Sequence, residues 1–107
     1  MIVANTDEVA GRHVDRVLGL VQGSTVRAKH LGTDILSGLK NLVGGELRSY
    51  TDLMSDARQE ALDRMLAEAE AMGADAVLTV RFSTASISSG AAELLAYGTA
   101  VKLKDAA

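Results

Sequence analysis

The stretch Gly73-Ala74-Asp75-Ala76-Val77-Leu78-Thr79-Val80-Arg81-Phe82-Ser83 decides the fold class. In it a helix-stopping glycine hands over to a run in which Ala76, Leu78, Val80 and Phe82 alternate with Val77, Thr79, Arg81 and Ser83. Alternation at period two is the mark of a strand with one face on a core. Upstream, Leu53, Ala57, Ala61, Met65 and Ala69 recur at helical spacing, flanked by Met54, Leu62 and Leu66. One apolar stripe therefore runs along a helix that ends at Met72, with Gly73 as the left-handed residue just past its end. Ser49-Tyr50-Thr51-Asp52 reads as a capping box, with Asp in place of Glu, that opens this helix. On its outer face Glu60 and Arg64, at i and i+4, read as a solvated ion pair.

Working outward, 86–92 reads as a turn, and 93–104 as a last strand. Leu95, Tyr97, Thr99, Val101 and Leu103 lie on one side of it, with Leu94, Ala96, Gly98 and Ala100 on the other. Toward the N-terminus, 14–27 reads as a strand covered on both faces, since Val17-Leu18-Gly19-Leu20-Val21 is apolar throughout. Ile2-Val3-Ala4 reads as a short strand. Between them and the long helix, Ile35, Leu36, Leu39, Leu42 and Val43 form a second, shorter amphipathic helix, capped by Thr33 or Asp34 and stopped by Gly44-Gly45. The class is α+β: strand, two helices, hairpin. A helical layer covers one sheet face only, so a lone chain is expected to expose much of Val17, Leu18, Leu20, Val21, Leu94, Leu95 and Val101. That expectation points to a homo-oligomer, closed so that no strand edge is left open.

With 107 residues the chain makes one domain, 1–107. Its hydrophobic residues make up 48%, but only Phe82, Tyr50 and Tyr97 are aromatic, so the core is aliphatic and oligomerisation is a natural supplement. A net charge of −3, with 11 basic and 14 acidic residues spread along the chain, gives no basic patch and argues against nucleic acid. No apolar run approaches the ~18 residues that span a bilayer, and the first residues carry no signal-like leader, so a cytoplasmic location without membrane attachment is expected. Cysteine is absent, which removes disulfides, thiolate metal ligands and cysteine nucleophiles.

Chemistry-bearing patterns are weak. His13 and His30 have no second ligand at i+2, i+3 or i+4, whereas zinc needs three or four converging donors. Asp52, Asp56, Glu60 and Asp63 recur on one helix face and read as a hydrated surface without an opposing acid or base. Gly44-Gly45 is followed by Glu46-Leu47-Arg48, not by the Lys-Ser/Thr of a phosphate-cradling loop. No G-x-S-x-G pattern occurs. The expectation is a non-enzymatic module with no catalytic, cofactor or metal residues. It would bind a small ligand or a partner at subunit boundaries; the alternative is a metal-binding protein whose ligands, His13, His30 or carboxylates, converge across subunits.

Several patterns in order and spacing carry a resemblance: Val17-Leu18-Gly19-Leu20-Val21-Gln22-Gly23, Leu42-Val43-Gly44-Gly45, Ala57-Arg58, Gly73-Ala74-Asp75-Ala76-Val77 and Tyr97-Gly98-Thr99-Ala100-Val101. Together they resemble the YbjQ family, small proteins labelled "putative heavy-metal-binding". The resemblance covers nearly the whole chain. It implies a dodecin-subunit-like β-α-β-β antiparallel sheet, strand order 1-3-2, with helices on one face, assembled as a homopentamer. The chain departs from the family pattern at Glu46-Leu47-Arg48 and at Arg81-Phe82-Ser83-Thr84-Ala85, and no metal ligand is carried over from it.

Overall fold

The computed structural model describes residues 1–28, 45–88 and 91–106. Within them the order is β1 (Ile2–Val3), β2 (Arg12–Ala28), α1 (Gly45–Ala71), β3 (Ala76–Ser88) and β4 (Ala91–Asp105). The shorter helix expected around Ile35 to Val43 lies outside the described residues, as does His30. The strands make one sheet in the order β1-β3-β4-β2. Instead of the expected three-stranded antiparallel sheet this is a four-stranded mixed one. Ile2 and Val3 pair in parallel with Ala76 and Val77, whereas β4 is antiparallel to both β2 and β3. The expected turn at 86–92 is also shorter: Ser86 already pairs with Ala92 and Ser88 with Ala91.

One helix lies on one face of this sheet. Ala57, Ala61, Met65 and Ala69, all at 0% exposure, bring its stripe down on Val21, Val77, Val80, Ala96 and Ala100. The stripe is the one that periodicity identified, but the start of the helix is not. It begins at Gly45, so Ser49 to Asp52 lie within it and not at its start. The C-terminal end follows the sequence reading. Gly73 takes φ +76°, its N–H bonds to Glu70 O at 3.0 Å and that of Ala74 to Ala69 O at 3.1 Å. Those two bonds make a Schellman cap, which only a residue at ease with positive φ completes cheaply.

Bulges decide which residues reach which face. In β3 the pairing shifts between Leu78 and Arg81, where Thr79 takes φ +54°. The extra residue reverses the alternation, because two residues there oppose one on β4. Val80 thus joins Val77 on the helix face, while Ala76 and Leu78 point the other way; the uniform alternation expected for 76–83 fails here. In β2 the pairing shifts between Val14 and Arg16 and again between Val17 and Gly19. Val14, Val17 and Leu20, three apart, pair with Leu103, Val101 and Thr99 and so share the face away from the helix, while Leu18 packs against the helical core.

That far face is not bare. Ala76, Leu78, Val101 and Leu103 form a second core, covered by Ile2, Ala4 and Val9 of the N-terminal segment. Backbone bonds hold the cover down: Thr79 N to Thr6 O at 2.9 Å and Val80 N to Ala4 O at 3.0 Å. Here the sequence expectation is corrected. Val21, Leu94 and Val101 are buried within one chain; Val21 lies in the core beneath the helix, and the N-terminal segment covers Val101. Among the described residues, the aliphatic side chains that stay most exposed are on β2: Val14 40%, Val17 62%, Leu20 65% and Val26 53%.

Candidate functional site

The helix meets the sheet most closely at β2. A β-carbon at Gly23 would lie 2.4 Å from both Ala61 O and Met65 N, closer than real atoms approach, so the helix backbone rests directly on the strand. A glycine inside a strand often marks such an approach, a signal the sequence carried at Gly23. Either side of it the seam is polar. Thr25, 1% exposed, donates from Oγ1 to Ala57 O at 3.3 Å, satisfying a hydroxyl that burial would otherwise penalise. Arg27 Nη2 donates to Glu60 Oε2 at 2.9 Å, and Arg64 donates to both Glu60 Oε1 and the Ser24 carbonyl.

Glu60 thus makes the Arg64 pair that spacing suggests, and Arg27 also ties it to β2, which spacing does not show. Hydrogen bonding from Arg27 and the positive charges of Arg64 and Arg27 hold its carboxyl below the usual range, against the desolvation that pushes the other way. The other expected members of that carboxylate stripe behave as read: Asp52, Asp56 and Asp63 are exposed, and Asp63 accepts from Gln59 Nε2 at 2.8 Å.

Beside this seam is an open hollow of about 610 Å³, lined by Gln22, Gly23, Ser24, Arg64, Glu68, Glu93 and Leu95. It crosses the outer edge of β2, from Arg64 and Glu68 on the helix side to Glu93 and Leu95 on the far side. Its walls offer exposed strand backbone, two carboxylates and a guanidinium already shared with Glu60. Nothing in it pairs a nucleophile with a base.

Metal chemistry finds no better footing among the described residues. No group of three or more His, Asp or Glu is close enough to hold an ion. His13 is exposed on β2 opposite Lys104. No described helix is long and apolar enough to cross a membrane.

A second polar joint lies at the far end of the helix. Asp75 Oδ2 accepts the backbone N–H of Leu103 at 2.9 Å, and Lys102 Nζ donates to Gly73 O at 2.8 Å and sits 3.4 Å from Asp75 Oδ1. The Leu103 N–H, followed by Lys102 and Arg12, holds this carboxyl below its ordinary range. Sequence reasoning gave the Asp75 side chain no role. It is a fastener: its side chain stands where a strand carbonyl would be, tying the helix exit to β4.

The segments 17–23, 73–77 and 97–101 thus hold the bulge and helix contact of β2, the capped corner with its fastener, and the middle of the central strand. A family model described as "Putative heavy-metal-binding" matches residues 1–104. The chain belongs to the YbjQ family. Among similar YbjQ proteins, a UPF0145 protein of Halorubrum lacusprofundi is 59% identical over 104 residues, covering 97% of this chain and 100% of that one. One from Methanosarcina acetivorans is 55% identical over 103 residues, covering 96% and 97%. One from Archaeoglobus fulgidus is 59% identical, covering 97% and 96%. Among solved structures, a protein of unknown function of the DUF74 family from Pediococcus pentosaceus superposes with a TM-score of 0.65 over 97% of this chain and 98% of that one, at 12% identity. That likeness concerns the fold alone.

Proposed function

We propose that this YbjQ chain works as a non-enzymatic homo-oligomeric module, a closed ring of subunits that holds a small ligand or a partner where two subunits meet. The observation that carries the reading is the row of exposed aliphatic side chains on one strand, with Leu20 at 65% and Val17 at 62%. Contiguous exposed apolar surface on a small protein marks an interaction site, and two bulges keep Val14, Val17 and Leu20 on one face of β2. A subunit arranged like that of dodecin, with α1 on one face of three long strands, and assembly as a pentamer are the finer forms of this proposal. Both come from the family resemblance.

Size exclusion coupled to light scattering tests the assembly. The expected result is a discrete mass several times the 11.2 kDa of one chain. A mass of one chain at micromolar concentration overturns the reading, and a stable trimer or hexamer overturns only the number five. The family description supplies the competing reading, a metal site formed across subunits. Titrating the untagged protein with Zn, Cu and Ni separates the two: stoichiometric sub-micromolar binding, lost on His13→Ala or His30→Ala, would replace the ligand- or partner-binding reading by metal handling.

A further inference from the structure

Residues 1–9 are held to the rest of the chain by little apolar contact. Their inward side chains, Ile2, Ala4 and Val9, are only half-buried, whereas the residues beneath them, Ala76, Leu78, Val101 and Leu103, are buried. A cover with so few buried contacts has a low free energy of local opening. It leads into β2 through a turn closed by the Arg12 N–H donating to Val9 O at 3.1 Å. In that turn Gly11 takes φ +78°, and a β-carbon there would meet nothing within 4 Å. A glycine in open space can absorb the rotation of the segment before it.

What the segment docks on is strained. Thr79, at φ +54°, is the one non-glycine residue at positive φ among the described residues, a conformation that a branched β-carbon disfavours. In a regular strand consecutive N–H groups point to opposite sides, but at this bulge Thr79 and Val80 both donate outward, to Thr6 O and Ala4 O. The Ala4 N–H returns a bond to Val77 O at 3.0 Å, and Arg81 Nη1 donates to Asn5 O at 3.1 Å. Strained residue and segment therefore support each other. The segment takes both outward donors of the bulge, and the bulge presents them together only while Thr79 stays left-handed.

We propose that residues 1–9 are a hinged lid over the second core, sprung by Thr79 and latched by Arg81. Lifting the lid lets Thr79 return to an extended backbone, so the strain offsets part of what docking gains. The open lid bares Ala76, Leu78, Val101 and Leu103 as an apolar floor, with the edge N–H groups of β3 along its rim. All of its parts belong to one chain, so the inference goes beyond the homo-oligomer reading and stands apart from it.

Amide hydrogen exchange of the full chain, read residue by residue by NMR at one fixed concentration, tests the lid. Ala4, Thr79 and Val80 should share one protection factor to within about threefold, lying about tenfold or more below that of Ala61 and Met65 in the helix. That factor should hardly change with sub-denaturing urea, since lifting the lid exposes little surface. Equal protection at strap and helix, with the same urea dependence, means that the segment leaves only when the whole fold unfolds, and overturns the lid. Three unrelated values overturn it as well, because a lid opens as a unit. Thr79→Gly tests the spring. Glycine is at ease at positive φ, so the docked state gains, and the protection of Ala4 and Val80 should rise about three- to tenfold. No rise overturns the spring, since Thr79 then keeps its conformation when the segment lifts. Arg81→Met tests the latch and should lower the protection of Ala4 about two- to fivefold, the loss of one exposed hydrogen bond; an unchanged value overturns the latch.

Discussion

Gly23→Ala is the most severe small change that this fold predicts. The added methyl would sit 2.4 Å from Ala61 O and 2.4 Å from Met65 N, with Arg64 Cβ at 2.7 Å. A carbon is ordinarily accommodated no nearer than about 3.4 Å to such atoms, so the helix must move off β2 by roughly 1 Å. Two of the three obstacles are backbone, which no rotamer change can withdraw. Overpacked cores typically lose about 1–3 kcal/mol; this site belongs at the top of that range, because the displacement also loosens Val21, Ala61, Met65 and Ala69. For a domain of this size about 3 kcal/mol lowers the melting temperature by on the order of 10 °C. The assay is thermal and urea unfolding of Gly23→Ala beside the parent protein at one fixed concentration, since assembly makes both midpoints concentration-dependent. Trimming Ala61 to Gly in the same background should not rescue the loss, because the clash is with the main chain. A cost under about 1 kcal/mol, or rescue by Ala61→Gly, would refute the close approach of helix and strand.

Two further outcomes follow from named contacts. Ala61→Asp puts an unpaired carboxylate at a fully buried position facing the sheet and should cost more than about 3 kcal/mol or leave the protein insoluble, whereas the exposed Asp56→Ala should shift the melting point by no more than a degree or two; equal effects would invalidate the helix phase. Asp75 has a folded-state pKa below its unfolded one, so its stabilising contribution is complete above the ordinary value near 4 and is lost as pH falls through the lower folded value. Stability should accordingly decline on acidification below about pH 4, and Asp75→Asn should flatten that decline while lowering stability at pH 7; an unchanged pH profile in the variant would exclude the Leu103 N–H bond as its source.

Much of the fold could be read in the chain because it rests on local periodicity. The stripe Ala57, Ala61, Met65, Ala69 repeats at helical spacing without interruption, and Gly73 ends it by a preference intrinsic to glycine. What could not be read depends on residues that break a period. The bulge at Thr79 reverses the face of everything beyond it, and no composition rule announced a threonine at positive φ. The cover over Leu78 and Val101 comes from Ile2, Ala4 and Val9, about 70 residues or more away along the chain, a contact that only tertiary structure reveals. Glu60 shows the same limit in the site. Its spacing to Arg64 was visible, but its tie to Arg27, 33 residues distant, was not, and that tie turns a surface pair into part of the helix–sheet seam.

The bulges in β2 also govern where the chain can change its length. Asp15 and Leu18 are surplus to the ladder with β4, whose partners run on without a gap from Leu103 to Lys102 and from Val101 to Ala100. Excising either residue straightens the strand and leaves its neighbours facing as before, whereas excising Gln22 turns one whole side of the strand inside out, Val21 toward water and Leu20 toward the helix. Relatives of unequal length should therefore differ at 15, which is exposed, before they differ at 22, whereas loss of Leu18 also removes a side chain packed against the helical core. Soluble yield from the deletions of Asp15 and of Gln22, compared side by side, reads that tolerance directly, with the second expected to fail.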